Sequence, residues 1–131
     1  MSRSTWLLLG LVLLLPACRQ RDAFNSDAGL DAHQRELRRA FAVCAGCHDT
    51  DPAMGHRFGP NLHGVIGRKA GSAPGYDYTD AMRRSEIIWD AEQLEQFLHS
   101  PTRVVPGTRM VNSTSDPARR RAVIEYLSQQ R

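Results

Sequence analysis

The sequence predicts an all-α fold in the form of a small helical domain with long loops. Apolar residues recur at helical spacing in several short segments, most of which open with a capping residue. The first of these segments is followed by a stretch rich in glycine and proline, residues 52–75, which can form neither a continuous helix nor a central strand. A loop of this length in a small domain is expected to wrap around something.

Two helices are predicted in the first two thirds of the chain. Residues 31–47 carry charged side chains between apolar or small ones at helical intervals. The apolar or small positions are Leu37, Ala40, Phe41 and Cys44. Further on, Thr79 or Asp80 can cap a short helix that continues through Arg84.

Two more helices are predicted in the last third of the chain, and little strand is expected anywhere. Asp90 is followed three residues later by Gln93, which is a capping-box arrangement, and Pro101 is expected to end that helix. Asp116 precedes Pro117, so a capping residue stands before a proline at the first helical position. The buried faces are expected to be Leu94, Phe97 and Leu98 in one helix and Val123, Ile124 and Leu127 in the other.

Residues 1–17 are predicted to be a lipoprotein-type signal peptide and not part of the fold. An apolar run of signal length, too short to span a membrane, follows Arg3. It ends at Leu15-Pro16-Ala17-Cys18, which resembles a bacterial lipobox, so Cys18 is predicted to be lipidated. Simple cleavage near Ala17 and an uncleaved anchor are the alternatives, and all three place the domain outside the cytoplasm.

The predicted division of the chain continues with residues 18–31, which start with the lipidated cysteine and form a flexible polar tether. Residues 32–131 then form the folded domain. The net charge is +3, aromatic residues make up 7%, and no basic stripe is interleaved with them. Nucleic-acid binding is therefore not expected.

The run Cys44-Ala45-Gly46-Cys47-His48 has the pattern that attaches a c-type haem through two thioether bonds, with the histidine as iron ligand. A zinc site and a thioredoxin-like dithiol are the competing interpretations. No cysteine follows Cys47, and His56 and His63 are spaced more widely than a usual zinc-ligand pair. The flanking residues do not alternate as strands do, which disfavours a thioredoxin-like motif.

A methionine is a candidate for the second iron ligand, on the side opposite the histidine. Met54 is too few residues from His48 to reach the opposite face easily, and Met82 lies where a short helix needs an apolar residue. Met110 ends the turn-rich segment Pro106-Gly107-Thr108-Arg109-Met110, which can present a side chain inward from a loop. A thioether opposite a histidine favours ferrous iron and raises the reduction potential.

The chain strongly resembles class I cytochrome c of the mitochondrial and small bacterial type, from about residue 32 to its end. The motifs that carry the resemblance, beside the haem-attachment run and the Met110 segment, are Gly59-Pro60-Asn61-Leu62-His63-Gly64-Val65-Ile66-Gly67-Arg68-Lys69, Ala73-Pro74-Gly75-Tyr76-Asp77-Tyr78-Thr79-Asp80-Ala81-Met82 and Ile88-Trp89. The resemblance implies a class I cytochrome c fold, in which long loops wrap around one covalently bound haem.

The resemblance also implies an iron site. One haem c would be attached through Cys44 and Cys47, and its iron would be ligated by His48 and Met110. The carbonyl of Pro60 would accept a hydrogen bond from the other ring nitrogen of His48 and so fix the ring.

Other roles around the haem follow from the same resemblance. Trp89 and Tyr78 would donate hydrogen bonds to a haem propionate, Arg68 would offset its charge, Thr108 would brace the methionine loop, and His56 would tie two loops together. Each has a plainer alternative: Trp89 as ordinary core, Arg68 as a solvated charge and Tyr78 as a loop aromatic.

Three positions depart from the family pattern. Two residues beyond the methionine, this chain has Asn112 where the family usually has an aromatic residue. It has Phe97 where relatives carry a tyrosine, and Met82 where they often carry an asparagine. The last two changes remove polar groups near the methionine, so an altered stability of the methionine loop or an altered reduction potential is expected.

The predicted function is that of a one-electron carrier, not an enzyme, that shuttles between respiratory membrane complexes on the periplasmic side. A quinol-oxidising complex or a dehydrogenase would be the donor, and a terminal oxidase or another haem enzyme the acceptor. A partial ring of Arg38, Arg57, Arg103 and Arg109 could steer partners, unless these are ordinary solvated arginines. The alternatives are a fixed subunit of a larger membrane oxidoreductase and a ligand-binding or peroxidase-like haem protein.

Overall fold

A computed structural model of the protein describes residues 29–131, and in this part of the chain it is helical and has no strand. The helices are α1 (Ala32–Phe41), α2 (Asp80–Arg84), α3 (Ala91–His99), α4 (Pro101–Val104) and α5 (Pro117–Ser128), and a 3₁₀ turn covers Cys44–Gly46. The all-α prediction is therefore confirmed. The predicted signal peptide, Cys18 and most of the tether lie outside the described residues.

None of the helices in this described part has the length and apolar character needed to cross a membrane. Extended pairing is limited here to one isolated antiparallel bridge between Lys69 and Ile88.

The first helix is shorter than the predicted helical stretch of residues 31–47. It begins after Asp31, whose carboxylate accepts a hydrogen bond of 2.8 Å from the amide of Gln34. It ends at Phe41, because the amide of Ala42 bonds to the carbonyl of Arg39 only three residues back, which tightens the last turn. The chain then turns again through the 3₁₀ turn, so Cys44 leaves the helix.

The remaining helices begin at the predicted caps. Thr79 caps α2 by accepting from the amide of Met82 (3.2 Å), and Asp90 caps α3 by accepting from Gln93 (2.7 Å). Asp116 caps α5 in the same way. Pro101 ends α3 as expected, but it also opens α4, because a proline at the first helical position lacks only an amide that would have no partner there. The helix α4 was not predicted from the sequence.

The core lies where α1, α3 and α5 meet. α5 packs against both α1 and α3, and Phe41 of α1 stacks on Tyr126 of α5 with ring centroids 4.6 Å apart. The buried cluster consists of Phe41, Val65, Ala70, Met82, Trp89, Leu94, Phe97, Leu98, Val105, Val123 and Leu127.

The long segment between the 3₁₀ turn and α2 is joined to the rest by backbone hydrogen bonds. The amide of Gly64 donates to Gln130 near the chain end (2.7 Å), and that of Gly67 donates to Trp89 (2.7 Å). The amide of Ala70 donates to Ile87 (2.8 Å). The segment therefore closes one side of a cavity whose other sides are the helices.

Candidate functional site

The predicted site residues line a cavity of about 290 Å³. The nine of them that fall in the described residues all line it: Cys44, Cys47, His48, Pro60, Arg68, Tyr78, Trp89, Thr108 and Met110. They come from the 3₁₀ turn, the long loop, the approach to α3 and the segment after α4. Residues as distant in sequence as Cys44 and Met110 thus line the same cavity.

The orientation of His48 leaves one ring nitrogen available to the cavity. Backbone bonds from Cys47 (3.0 Å) and His48 (2.9 Å) to the carbonyl of Cys44 present the ring from the 3₁₀ turn. The Nδ1 atom lies 2.8 Å from the carbonyl oxygen of Pro60. Because a carbonyl only accepts, Nδ1 donates its proton, and Nε2 keeps a free lone pair.

Burial lowers the pKa of His48, and the hydrogen bond to Pro60 opposes that shift in part. The ring is thereby favoured in its neutral form, which is the form that binds a metal.

The backbone of Gly59 packs closely against the same ring. A Cβ atom at this position would lie 2.3 Å from Cε1 and 2.8 Å from Nε2 of His48, which is closer than real carbon atoms approach. The amide of Gly59 also donates to the carbonyl of Cys47 (2.8 Å). No role was predicted for Gly59 from the sequence, although its place before Pro60 was the available signal.

Cys44 and Cys47 carry free thiols at the cavity wall. Burial raises the pKa of the Cys44 thiol, while a backbone hydrogen bond and the positive charge of Arg119 act in the opposite direction. Residues 29–131 contain no group of three or more His, Cys, Asp or Glu side chains able to hold a metal ion. The zinc interpretation therefore lacks the further ligands that it needs.

Two methionines line the cavity. Met110 is half-buried against the core, and its amide donates to the hydroxyl of Thr108 at 3.2 Å, so Thr108 does contact the segment it was expected to brace. Met82 lies in the same lining and is buried in α2. Met54 is exposed and lies outside the lining.

Arg68, Tyr78 and Trp89 also lie in this lining. The guanidinium of Arg68 donates to the carbonyls of His63 (3.1 Å) and Asn61 (3.0 Å), and among the described residues no carboxylate pairs with it. Burial raises the pKa of Tyr78, and the charge of Arg68 opposes this. Trp89 is buried and packs on Phe97 with ring centroids 4.9 Å apart.

Asn61 and His56 hold the loop that carries Pro60. Asn61 is buried, its amide group donates to the carbonyls of Asp51 (2.7 Å) and Met54 (2.9 Å), and its Oδ1 accepts from the amide of His63. His56 bonds through Nε2 to Pro74 (2.8 Å) and through Nδ1 to the amide of Asn61 (3.0 Å), so it ties two loops together. The role of Asn61 was missed, because only the folded loop shows that its side chain is enclosed.

The predicted arginine ring is only partly present at the cavity. Arg109 is at the lining but donates to the carbonyl of Asp77 and faces its carboxylate at 3.6 Å. Arg57 donates to the carbonyl of Ala45 (2.9 Å). Of the four, only Arg109 lines the cavity; Arg38, Arg57 and Arg103 do not, and Arg103 lies instead at a groove beside α3 and α4.

Exposed apolar side chains also line the cavity. Val43, Phe58 and Val111 line it and are 66%, 86% and 71% exposed. The rim therefore combines a few arginines, most of them bonded to the chain itself, with an apolar surface.

Comparisons with known proteins agree on one family. The family model described as Cytochrome c matches residues 38–131. The chain is 41% identical over 93 residues to cytochrome c2 of Rhodomicrobium vannielii, which covers 70% of this chain and 74% of the relative. It is 39% identical over 107 residues to cytochrome c of Arabidopsis thaliana, covering 80% of this chain and 96% of the relative.

A solved structure is similar over the same region. Cytochrome cH from Methylobacterium extorquens superposes with a TM-score of 0.67 at 40% sequence identity, covering 72% of this chain and 96% of that one.

Proposed function

Because this chain belongs to the cytochrome c family, whose members are haem-based electron carriers and not enzymes, we propose that it carries single electrons on a haem held by the residues of the cavity. Family membership implies a haem c bound covalently through cysteine. The proposal assigns the attachment to Cys44 and Cys47 and the axial ligands to His48 and Met110.

One observation carries this assignment: two thiols, an imidazole with a free Nε2 and a thioether all line a single, largely apolar cavity. These groups fit a haem c, since thiols form its two covalent links and a neutral imidazole and a thioether are common iron ligands. The bound haem supplies an iron that gains and loses one electron.

The chain's own residues set the conditions for that exchange. His48 is held by Gly59 on its flat side and by Pro60 at Nδ1, so its ring has little freedom to turn. Met110 is held through its amide by Thr108. If His48 and Met110 both bound the iron, no position on it would remain for a substrate, and a carrier would be favoured over the ligand-binding or peroxidase-like alternative.

The partners and location are proposed on the sequence alone. The donor is a quinol-oxidising complex or a dehydrogenase, and the acceptor is a terminal oxidase or another haem enzyme. Residues 1–17 act as the signal peptide, Cys18 carries lipid, and residues 18–31 tether the domain (32–131) to the periplasmic face of a bacterial membrane. Mass spectrometry of the mature N-terminus distinguishes a lipidated Cys18 from simple cleavage near Ala17.

The absorption spectrum of the ferric protein tests the proposed ligands. A thioether on ferric haem is expected to give a weak band at the red end of the visible spectrum, and Met110→Ala should abolish it. Met54→Ala is the matched control, because Met54 lies outside the cavity lining and should leave the band unchanged. A missing band in the unsubstituted protein, together with binding of added ligands to the iron, would favour the ligand-binding alternative.

The ionic-strength dependence of electron transfer tests whether the rim steers partners. Arg57, Arg109 and Arg119 contribute positive charge near the cavity, so the rate with an acidic partner should fall as salt rises. The fall should be shallow, because Asp77 faces Arg109 and the apolar contacts do not depend on salt. A flat profile would contradict steering and assign docking to the apolar rim. Co-purification with a membrane complex at high salt would instead indicate a fixed subunit.

A further inference from the structure

Arg120 is a buried arginine that no part of the proposed function uses. It lies on α5 and is 8% exposed. Its Nε atom donates to Glu95 of α3 at 2.7 Å, and Nη1 donates to the carbonyls of Thr114 (2.6 Å) and Ser115 (2.8 Å). A weaker contact of 3.4 Å joins Nη1 to Nδ1 of His99. An arginine placed in this way uses its hydrogen-bond donors on neighbouring groups of the protein and is not a solvated surface charge.

The two carbonyls belong to the segment that joins Met110 to α5. After Met110, residues 111–113 form no hydrogen bond with any described residue and are exposed. The first attachment is at Thr114, whose amide donates to the carbonyl of Leu98 (2.7 Å) and whose own carbonyl accepts from Arg120. On this side of Met110, the backbone is therefore held only from Thr114 onward.

The pair between Arg120 and Glu95 is also sensitive to loss of either member. The Oε2 atom of Glu95 is buried without a hydrogen-bond partner, so the carboxylate depends on the single bond from Arg120. The Arg120 side chain is 9% exposed and the Glu95 side chain 37%, so removing Arg120 leaves a partly buried carboxylate, and removing Glu95 leaves a buried guanidinium, without its charged partner.

We propose that Arg120 is a positioning residue that holds residues 114–116 against α3 and α5 and thereby keeps Met110 at the iron. We call Arg120, Glu95 and the carbonyls of Thr114 and Ser115 the Arg120 clamp. The inference rests on the proposed function, in which Met110 is a ligand. When the clamp opens, residues 111–113 offer no other attachment, and Met110 can move away from the cavity with the loosened segment.

The test uses the haem-loaded protein and the pH at which ferric protein loses the thioether band. It is run from neutral to alkaline pH. Arg120→Met should lower the midpoint by about one pH unit, which is about a tenfold change in the equilibrium between held and released methionine. Arg120→Lys, which keeps the charge beside Glu95 but cannot make all the bonds at once, should give a smaller decrease.

Arg121→Met is the matched control, since Arg121 is the next residue on α5 and is exposed. Its midpoint should equal that of the unsubstituted protein. A midpoint unchanged in both Arg120→Met and Arg120→Lys overturns the proposal, whatever happens to overall stability.

The double variant Arg120→Met/Glu95→Met separates positioning from a general loss of stability. Methionine at position 95 removes the orphaned carboxylate, so resistance to denaturant should recover in part. The midpoint for methionine loss should stay low, because the contacts to Thr114 and Ser115 are still missing. Recovery of both quantities would show that only the orphaned charge mattered and would overturn the proposal.

The proposed function and this inference fail in different ways. If the unsubstituted protein lacks the thioether band at neutral pH, Met110 is not the ligand and the proposed function is wrong. If the band is present but does not respond to the Arg120 variants, the ligand assignment stands and the positioning role is wrong.

Discussion

The orientation of the His48 ring depends on the absence of one methyl group. Gly59 packs so close to the ring that a Cβ would overlap it, and Pro60, the next residue, supplies the carbonyl that holds Nδ1. Neighbouring residues thus act on two sides of one imidazole. The ring cannot yield to a larger residue at position 59 without giving up the bond to Pro60.

Replacing Gly59 by alanine should therefore disturb the site. Overpacking of this kind costs about 1–3 kcal/mol, and here the strain falls on the proposed iron ligand. We expect Gly59→Ala to lower both the yield of haem-loaded protein and its stability in denaturant melts. Gly55→Ala is the control, because a Cβ there meets no atom within 4 Å. Equal yield and stability in the two variants would contradict the close packing of Gly59 against the ring.

Two buried polar residues show the limit of reasoning from single positions. Asn61 and Arg120 are polar side chains of types that ordinarily lie on the surface. Asn61 is in a loop with no periodic pattern, whereas Arg120 has helical spacing with Val123, Ile124 and Leu127, and only its charge disfavoured burial. Their partners are mostly carbonyl groups, which every residue carries. Sequence cannot identify such partners, because the choice depends on which backbone the fold brings near.

The pairing of α1 with α5 combines an apolar contact with an exposed charged one. Phe41 stacks on Tyr126 in the interior, and the Tyr126 hydroxyl lies 3.2 Å from that of Thr50 just beyond the 3₁₀ turn. Near the start of α1, Nε2 of His33 lies 2.6 Å from Glu125 of α5. The two helices are thus joined at both ends of α1, and the charged end can respond to pH.

The His33–Glu125 pair should make the stability of the helix pair depend on pH. The bond to Glu125 raises the pKa of His33, so the folded state binds the proton more tightly than the unfolded chain. Its contribution is fully present below the unfolded pKa of about 6.5 and is lost as pH rises through the raised folded value. Both side chains are exposed, so the effect should be small.

Thermal melts of haem-loaded protein check this prediction. The difference in Tm between the unsubstituted protein and His33→Ala should be larger at mildly acidic pH than at alkaline pH. Glu125→Gln should remove the same pH dependence while His33 is present. A difference that does not vary with pH would contradict the pairing.

Helix ends were predicted better than helix continuity. The caps Thr79, Asp90 and Asp116 act through hydrogen bonds to amides two or three residues away, and such local geometry can be read from the sequence. Helical spacing in residues 31–47 did not distinguish an α-helix from an α-helix followed by a 3₁₀ turn, because Cys44 packs against the core cluster although it lies outside the α-helix. The prediction for Pro101 was incomplete for a similar reason, since a proline can end one helix and open the next.

At the scale of the whole molecule, the cavity and the core share their walls. The residues that belong to both are Phe41, Val65, Met82, Trp89, Leu94, Phe97, Leu98, Val123 and Leu127. Met82 and Phe97, which replace polar residues of the family pattern, extend this apolar wall. A haem bound here would therefore complete the hydrophobic core of a domain of modest size.

The apoprotein should accordingly be poorly folded. Without the haem, the shared wall residues lose the partner that covers them, and a domain of this size has little other core to compensate. We expect circular dichroism of the protein prepared without haem to show reduced helicity and no cooperative melt, whereas the haem-loaded protein melts cooperatively. A native-like cooperative transition in the apoprotein would show that the core is complete without the haem.

The sequence by itself determined the helix caps and predicted the chemistry that is proposed for the site. The haem-attachment pattern of Cys44, Cys47 and His48 lies within five consecutive residues, and each helix cap involves residues two or three positions apart. Both could therefore be predicted from short-range patterns. The tertiary structure decided how distant segments meet: Gly59 against His48, Asn61 within its loop, Arg120 against the segment after Met110, and exposed apolar side chains together at the rim of the cavity. These contacts follow from packing across long sequence separations, where close approach and enclosure are set by the whole fold and not by any local pattern.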